Sequence, residues 1–323
     1  GVGFAPDMIW GKNRGQTYNH QINDTVRGAN KQLAPNNTNA QETNSGELTA
    51  FGSDGFTVGS GGTLNGNGDG IVSWNWKAGT TSGIATNGST VITPSAYSFN
   101  QTSGFSIVQY TGNGNTTTKV AHGLGAAPKW IIIKKTSAGG DNWKVYHVGI
   151  GNTTALQLDN NGATSGGSDN FYDTTPDTVN FTLGNHTSVN ANGATYIAYC
   201  FAEKTGFSKF GKYSGNVNLD GPFIYTGFKP AWVMIKSSTL ANQSWTIFNN
   251  GLDSFNEMTN TLQADTNGAE DGNTGYNDAD FVSNGFKIRE DNDNINATGQ
   301  DYVYMAFAEA PIVGTNNIPA TAR

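Results

Sequence analysis

One stretch of the chain, residues 228–236, reads Phe-Lys-Pro-Ala-Trp-Val-Met-Ile-Lys, and its pattern occurs three times. A proline, a mostly apolar run and a lysine recur from Pro6 to Lys12, from Pro128 to Lys134 and from Pro230 to Lys236. Proline is tolerated as the first residue of a strand, because no ladder hydrogen bond is yet required there. The apolar run is short and rich in β-branched and aromatic residues, which is typical of a strand covered on both faces. The pattern therefore predicts three repeats, each opened by this strand.

Two further landmarks follow each copy in the same order. A tight turn, of the Asp-Gly or Asn-Gly type in the outer two repeats, leads into a short strand that carries a phenylalanine. A final strand, with large apolar residues at every second position, then closes the unit. The phenylalanines are Phe56, Phe181 and Phe286, and the closing strands cover residues 72–76, 197–201 and 303–307.

The second and third repeats carry one more strand in front of the proline. It runs from Gly104 to Tyr110 in the second repeat and from Gly206 to Tyr213 in the third. The first repeat has no room for this strand, because the chain begins just before Pro6. We therefore expect the first repeat to lack its first strand and to leave an open sheet edge, which is a pairing hazard unless it is covered.

Composition restricts the class of protein. The chain has 323 residues, of which 36% are hydrophobic and 11% aromatic, so it can form sizeable cores. Charged residues make up only 13% and glycine occurs 43 times, which favours a turn-rich all-β protein over a disordered one. The net charge of −7 argues against nucleic acid as a partner, and no apolar stretch is long enough for membrane insertion. Cys200, the one cysteine, excludes an intramolecular disulfide framework.

These patterns predict an all-β fold of three tandem antiparallel β-sandwich modules, of the jelly-roll or concanavalin-like kind. The modules cover residues 1–78, which lack the first strand, residues 104–203 and residues 204–310. Residues 79–103 are rich in Thr, Ser and Gly and are predicted to form a surface linker. Residues 311–323 are predicted to form a polar C-terminal tail.

Two tryptophans are the candidate ligand-binding residues. Trp143 and Trp245 occupy equivalent positions in the second and third repeats, each just before an alternating strand, and His20 takes this position in the first. An exposed indole ring there would stack on the face of a sugar, as in a lectin. The alternative is that both rings are core aromatics, which are common at a repeated position.

A candidate calcium site lies in the segment Asp291-Asn-Asp-Asn-Ile-Asn296. The oxygens of Asp291 and Asp293, with the carboxamides between and after them, are the ligands that Ca²⁺ prefers. The glycine and glutamate of an EF-hand loop are absent, since Asn296 and Tyr302 stand at those positions. The alternative is a solvated hairpin tip before the last strand, and no other cofactor is predicted.

Signs of catalysis are weak, and the sequence predicts a protein that is not an enzyme. A Gly-x-Ser-x-Gly elbow is absent, and so is a phosphate-binding loop followed by a helix. Carboxylates such as Glu270 and Asp271, or Asp278 and Asp280, leave a polysaccharide depolymerase as a less favoured alternative. Four histidines lie in separate local contexts, so a zinc site is not expected and surface positions are predicted for His20, His122, His147 and His186.

The proline-to-lysine pattern, the Ser53-Asp-Gly-Phe-Thr-Val58 turn, the Trp74-Asn-Trp76 closing strand and the terminal residues from Pro311 to Arg323 resemble the tandem modules of structural proteins from marine tailed bacteriophages. The resemblance runs over nearly the whole chain. It implies β-sandwich modules at the virion surface, outside the cell, in tail fibres, tail spikes or capsid-decorating fibres. The implied partners are copies of this chain, other virion proteins and a host-surface glycan. The resemblance carries no catalytic residues.

Two functions follow as hypotheses. In the first, the repeated modules form a homo-oligomeric virion component that attaches to the host surface, and repetition raises the avidity of weak single sites. In the second, the protein is purely architectural and decorates a capsid or forms a filament. The incomplete first module would then receive a strand from a neighbouring copy or from the tail after Pro311.

Overall fold

The structure is a computed structural model and describes residues 1–272, 275 and 277–309. The first repeat forms β1 (Met8–Asn13), β2 (Gln21–Asp24), β3 (Lys31–Gln32), β4 (Glu42–Thr43), β5 (Leu48–Gly52), β6 (Gly55–Val58), α1 (Gly62–Asn65) and β7 (Ile71–Trp76). The second repeat forms β8 (Ala96–Asn100), β9 (Phe105–Thr111), β10 (Thr118–Ala121), β11 (Trp130–Lys135), β12 (Lys144–His147), β13 (Gly151–Gln157), β14 (Ser165–Gly166), α2 (Ser168–Phe171), β15 (Asn180–Leu183), α3 (Thr187–Asn190) and β16 (Thr195–Phe201). The third repeat forms β17 (Ser208–Ser214), β18 (Phe223–Tyr225), β19 (Trp232–Ser237), β20 (Thr246–Asn249), β21 (Leu262–Gln263), β22 (Ala279–Val282), β23 (Gly285–Ile288), α4 (Asp293–Asn296) and β24 (Asp301–Phe307). None of the helices in these ranges is long and apolar enough to cross a membrane.

Each repeat contributes one larger antiparallel sheet. Sheet I has the strand order β2-β1-β7, sheet II the order β14-β13-β12-β11-β16-β9-β8, and sheet III the order β21-β20-β19-β24-β17. In all three, the proline strand pairs with the closing strand. Smaller sheets are β5-β6, β10-β15 and β18-β23-β22, with β3-β4 as a separate pair. The predicted all-β class is confirmed, and so are the strands assigned to the three landmarks.

The proline strands are covered on both faces, as predicted. In β19, Trp232 and Met234 belong to one apolar cluster, whereas Val233 and Ile235 belong to another. All four side chains are nearly or fully buried. Burial of both faces explains why the strand reads as a continuous apolar run rather than as an alternating pattern.

One apolar core is shared by all three larger sheets, and we call it the central core. All seven tryptophans of the chain lie in it. The closing strands contribute Trp76, Phe201 and Phe307, whose ring centroids are separated by 6.2, 5.8 and 5.8 Å. These residues are sequence-equivalent, so their nearly equilateral triangle shows that the three repeats surround a common axis.

Each repeat also has an inner core between its larger and smaller sheets. The inner cores of the second and third repeats are extensive, with sixteen buried residues each among those described. The inner core of the first repeat contains three buried residues, Ile9, Leu48 and Leu64, and the five further apolar side chains around them stay partly exposed, namely Ala29, Phe51, Phe56, Val58 and Ile71. The first repeat therefore buries its apolar residues least completely.

Residues 79–103 form the predicted surface linker only in part, since most residues between 79 and 95 are exposed. Their C-terminal part is β8, which pairs with β9 and forms an edge of sheet II. Before β8, the N–H groups of Val91 and Ile92 donate to the carbonyl of Lys119. Tyr97 and Phe99 supply the alternation that a strand requires, but the surrounding Thr, Ser and Gly residues hide it. The predicted tail, residues 311–323, lies outside the described residues.

Candidate functional site

Trp143 and Trp245 are not available for stacking on a ligand. Both side chains are 0% exposed. Each indole N–H crosses to the preceding repeat: Trp143 Nε1 donates to the carbonyl of Ala34 at 3.1 Å, and Trp245 Nε1 donates to the carbonyl of Gln157 at 2.8 Å. The assignment of these two residues to an exposed sugar site is therefore wrong in this fold, because the repeats pack against both rings.

His20 completes the same set of contacts from the first repeat. Its Nε2 atom lies 3.0 Å from the carbonyl of Gln263 in the third repeat, and its Nδ1 atom accepts from Trp10 Nε1 at 3.0 Å. The three accepting carbonyls occupy equivalent positions in the repeats. Ala34, Gln157 and Gln263 each lie two residues before a side chain that accepts a hydrogen bond from a backbone N–H group. These N–H groups belong to His20, Trp143 and Trp245, respectively. The repeats are thus joined in a closed ring.

Three of the four histidines are not surface residues, contrary to the prediction, and the fourth, His186, is half-buried. His20, His122 and His147 are almost completely buried. Burial, and after it the nearby charge of Lys12, lowers the pKa of His20 to about 3. Burial also lowers the pKa values of His122 and His147 to about 4. These three rings are structural hydrogen-bonding groups that stay neutral at physiological pH.

The segment proposed for calcium does not form a hairpin tip. It contains the helical turn α4, in which the side chain of Asn292 accepts from the N–H of Asn294 at 2.8 Å. Asn296 is fully buried, and its amide donates to the carbonyls of Asn218 and Glu290. No group of three or more His, Cys, Asp or Glu side chains converges on a metal-sized site within the described ranges. Calcium binding by Asp291 and Asp293 stays a prediction.

Two of the acidic residues considered for glycoside cleavage are engaged in ion pairs. Glu270 binds Arg14 of the first repeat through two hydrogen bonds of 2.5 and 2.8 Å. Asp280 accepts from Arg289 at 2.6 Å. The Glu270–Arg14 pair is a bidentate contact between the third and first repeats, and it therefore holds the ring of repeats together.

The strongest candidate site is the free edge of β7. In sheets II and III, the closing strand lies between two partners, because β16 also pairs with β9 and β24 also pairs with β17. In sheet I, β7 pairs with β1 alone among the described strands. The prediction of an open edge in the first repeat is confirmed in this respect.

The backbone of β7 is oriented to accept another strand. The carbonyl of Gly70 accepts from the N–H of Arg14, so the backbone N–H and C=O groups of every second residue after Gly70 point towards β1. The N–H and C=O groups of Ser73 and Asn75 consequently point away from sheet I. Among the described residues, the hydrogen bond at this edge is a side-chain contact, in which the Asn75 amide donates to the Ser73 carbonyl at 3.2 Å. Unpaired edge groups of this kind form a template for strand addition.

An aromatic cleft lies beside this edge, with a volume of about 1090 Å³. Its wall combines residues from all three repeats, and the aromatic ones are Trp74, Trp76, Phe105, Phe207, Trp232 and Phe307. Lys77, Glu203, Lys204 and Glu309 also lie along the cleft. Two polar atoms near the C-terminal end of β7, Asn75 Oδ1 and Trp74 Nε1, are buried and have no hydrogen-bond partner within the described structure. A cleft of this size beside an unpaired edge can hold a peptide segment.

The repeats meet pairwise at three interfaces, and at two of them the buried side chain at one equivalent position, Asp24 or His147, makes a hydrogen bond to the other repeat. Tyr199 of the second repeat donates to Asp24 of the first at 2.7 Å, and His147 contacts the carbonyl of Tyr304 in the third at 3.0 Å. Asn249 is the equivalent of Asp24 and His147, yet it donates to the carbonyl of Ala231 in its own repeat and lies along the cleft. The cleft therefore lies at the interface between the third and first repeats, where Asn249 makes no hydrogen bond to a described residue of the other repeat.

The sequence predicted the open edge of the first repeat but did not predict the cleft. Counting strands in each repeat revealed the missing partner of β7. The cleft requires knowledge of which surfaces meet, and alternation reports only that a face is buried. No local pattern links Trp74 with Trp232, although their rings lie 6.1 Å apart.

Fold and site together define an all-β protein with three internal repeats around a shared aromatic core and one open sheet edge. Residues 1–311 match the family described as "Domain of unknown function (DUF7483)", and the chain belongs to this family. The match extends across all three repeats. No curated protein and no solved structure matches the chain.

Proposed function

We propose that this protein is a non-enzymatic structural subunit that is built into a larger assembly through the open edge of β7. The observation that carries the proposal is the unpaired strand β7 beside an aromatic cleft of about 1090 Å³. An exposed apolar edge favours aggregation unless a partner covers it, and strand addition both covers the edge and supplies affinity. A defined binding partner is therefore part of the proposal.

The assembly we propose is the virion of a tailed bacteriophage, with copies of this chain and other virion proteins as partners. The resemblance of the repeat landmarks supports this placement, and so does a composition low in charge and rich in polar turns. We further propose that each repeat is a jelly-roll-like β-sandwich. The presence of a larger sheet, a smaller sheet and an inner core in every repeat supports this architecture.

Cross-linking of purified virions with a lysine-reactive reagent tests the proposal. Lys77 and Lys204 lie along the cleft, so both are expected to form cross-links to a second polypeptide. Lys119, which lies on β10 away from the cleft, serves as the comparison position. Virions without this chain would contradict the virion assignment. Virions in which Lys77 and Lys204 cross-link only within the chain would contradict assembly through β7.

A second candidate function, glycan attachment, is favoured by a different pocket. It has a volume of about 140 Å³ and lies in the first repeat. Tyr18 is 45% exposed there, and carboxamide and carboxylate side chains complete the lining, among them Asn19, Gln32, Asn37 and Glu42. Amide and carboxylate groups bind sugar hydroxyls, and an aromatic ring packs against the apolar face of a sugar. The pocket has room for about one sugar ring.

A glycan array probed with the intact chain tests this second function. Binding of a host-surface glycan is expected to be lost in Tyr18→Ala and retained in Tyr225→Ala, since Tyr225 is 63% exposed and lies on β18 of the third repeat. Equal binding by both variants would show that this pocket is not the site. Absence of binding by the unsubstituted chain would remove the attachment function.

A further inference from the structure

We infer that the open edge of β7 binds an antiparallel strand of the pattern Gly-Phe-Ser-apolar-apolar-x-Tyr, supplied by a neighbouring polypeptide. The inference rests on the proposed function and specifies the chemistry of the partner. Its basis is internal to the molecule, because β9 and β17 occupy the corresponding position in the two complete repeats. The pattern is that of β9, and β17 shares with it an apolar residue, Phe210 in the place of Ile107, and the tyrosine, Tyr213 in the place of Tyr110.

The register of the partner strand follows from the pairing of β9 with β16. Phe105 pairs with Phe201, and Ile107 pairs with Tyr199. Trp76 and Trp74 are the equivalents of Phe201 and Tyr199 in the closing strand of the first repeat. The incoming phenylalanine would therefore lie opposite Trp76, and an aliphatic residue would lie opposite Trp74. Both would enter the aromatic cleft, as Phe105 and Ile107 enter the central core.

The opposite face of the partner strand would complete the inner core of the first repeat. In β9, Val108 and Tyr110 belong to the inner core of the second repeat, and Tyr213 of β17 belongs to that of the third. No described residue supplies these side chains in the first repeat, where Phe51 and Phe56 stay partly exposed. One strand would thus place apolar side chains both in the aromatic cleft and in the inner core of the first repeat, which lie on opposite faces of the same sheet edge. A small apolar molecule in the cleft would fill only one of them.

The tyrosine of the pattern has a defined acceptor. The hydroxyl of Tyr110 donates to the carbonyl of Val189 at 2.7 Å, and that of Tyr213 donates to the carbonyl of Ile295 at 2.7 Å. Val189 and Ile295 are the third residues of α3 and α4. The third residue of α1 is Leu64, which is buried. The partner's tyrosine is therefore expected opposite Ile71, with its hydroxyl donating to the Leu64 carbonyl.

The glycine of the pattern follows from the start of β9. Gly104 adopts φ +71°, which residues with a side chain rarely adopt, and an added Cβ atom would lie 2.3 Å from the carbonyl oxygen of Ala202. In the third repeat Phe207 takes the place of Gly104, because its carbonyl accepts from the N–H of Ala308, and Gly206 with φ +75° lies one residue earlier. The equivalent of Ala202 in the first repeat is Lys77, on the rim of the cleft. The incoming strand would start beside this residue.

A synthetic peptide tests the inference with the intact chain. The peptide Gly-Phe-Ser-Ile-Val-Gln-Tyr-Thr-Gly has the sequence of residues 104–112. It is expected to protect the amides of Ser73 and Asn75 from hydrogen exchange. Replacement of its tyrosine by phenylalanine is expected to weaken binding about fivefold, the effect of one lost hydrogen bond of about 1 kcal/mol. Unchanged exchange at Ser73 and Asn75 would overturn the inference.

Disulfide trapping tests the register. In Asn75→Cys, a cysteine at the third position of the peptide should cross-link, because hydrogen-bonded antiparallel pairs have Cα atoms about 5.5 Å apart, which suits a disulfide. A cysteine at the fourth position points to the other face, so its yield is expected to be at least about tenfold lower. The native Cys200 is buried, and burial raises the pKa of its thiol, so it does not compete. Equal yields at the two positions would overturn the register, and exchange protection in the unsubstituted chain decides the case if the variant fails to fold.

The outcomes separate this inference from the proposed function. Peptide binding in register, together with virions that lack the chain, would support the strand-accepting edge and contradict the virion role. Virions that contain the chain, with cross-links from Lys77 to a segment lacking the Gly-Phe-Ser pattern, would support the role and overturn the inferred partner chemistry.

Discussion

At the scale of single residues, the unexpected feature is how many polar side chains are fully buried. The lysines that end the proline strands, Lys12, Lys134 and Lys236, are fully buried, and each donates to backbone carbonyls. Burial lowers the pKa of each to about 8. Buried polar groups are costly unless hydrogen-bonded, so these residues fix specific contacts that an apolar core would leave variable.

The buried histidines predict that acid destabilises the protein. The pKa values of His122 and His147 are lowered to about 4 in the folded state, below the ordinary value of 6.5. The unfolded chain therefore binds protons first as pH falls, and stability is lost between about pH 6.5 and pH 4. We expect each histidine to reduce the free energy of unfolding by about 1 to 2 kcal/mol between pH 7 and pH 5.

Urea unfolding at pH 7, 6 and 5 measures this loss. His147→Asn is the matched variant, since Asn249 takes the equivalent position in the third repeat, and it should lose less stability on acidification than the unsubstituted chain. Identical pH dependence of the two proteins would show that His147 is not neutral and buried in the folded state.

The inter-repeat hydrogen bonds predict a difference between two conservative tryptophan substitutions. Trp143→Phe leaves the part-buried carbonyls of Ala34 and Asn37 without their indole donor, whereas Trp130→Phe removes an N–H group that has no partner within the described residues. An unsatisfied buried acceptor costs about 1 to 3 kcal/mol. Thermal unfolding should therefore show Trp143→Phe as the less stable variant by about that amount. Equal stability would mean that the indole of Trp143 does not join the repeats.

At the scale of elements, the sequence predicted most strands and missed what covers them. The three proline strands, the phenylalanine strands and the closing strands were identifiable from β-branched runs, turn residues and alternation. The short β8 was hidden by its polar surroundings, and α4 was hidden within a run of Asp and Asn. The candidate sugar site at Trp143 and Trp245 failed for a general reason: a repeated aromatic position reveals equivalence between repeats, and it carries no information on whether a neighbouring repeat covers the ring.

Strand β19 predicts the largest effect of a single truncation. Trp232 is 4% exposed and its ring contacts Trp74, Trp76 and Phe307 of other strands. Trp232→Ala is expected to cost about 3 to 5 kcal/mol, the usual range for a large aromatic removed from a core. Phe255→Ala is the control, because Phe255 is 83% exposed. If the thermal midpoint of Trp232→Ala equals that of the control, β19 is not central to the fold.

At the scale of the whole molecule, the three repeats share one apolar core. Each larger sheet buries one face against the central core, which no single repeat can cover by itself. Sequence comparison identified three repeats but could not show that they share a core, since the equivalent apolar faces would look the same in three separate modules.

Shared burial predicts a single unfolding transition. Calorimetry of the intact chain should give one peak whose calorimetric and van't Hoff enthalpies agree. Residues 104–203 expressed alone would expose Phe105, Trp130 and Phe201, and are not expected to fold stably. Separate transitions, or a stably folded isolated second repeat, would contradict the shared core.

We propose that β7 is an open edge that accepts a strand. Hydrogen exchange of the isolated chain tests it most directly, because Ser73 and Asn75 have counterparts, Ala198 and Cys200, that pair with β9. We expect fast exchange of the Ser73 and Asn75 amides and slow exchange of the Ala198 and Cys200 amides. Equal, slow exchange at all four positions in the isolated chain would contradict it.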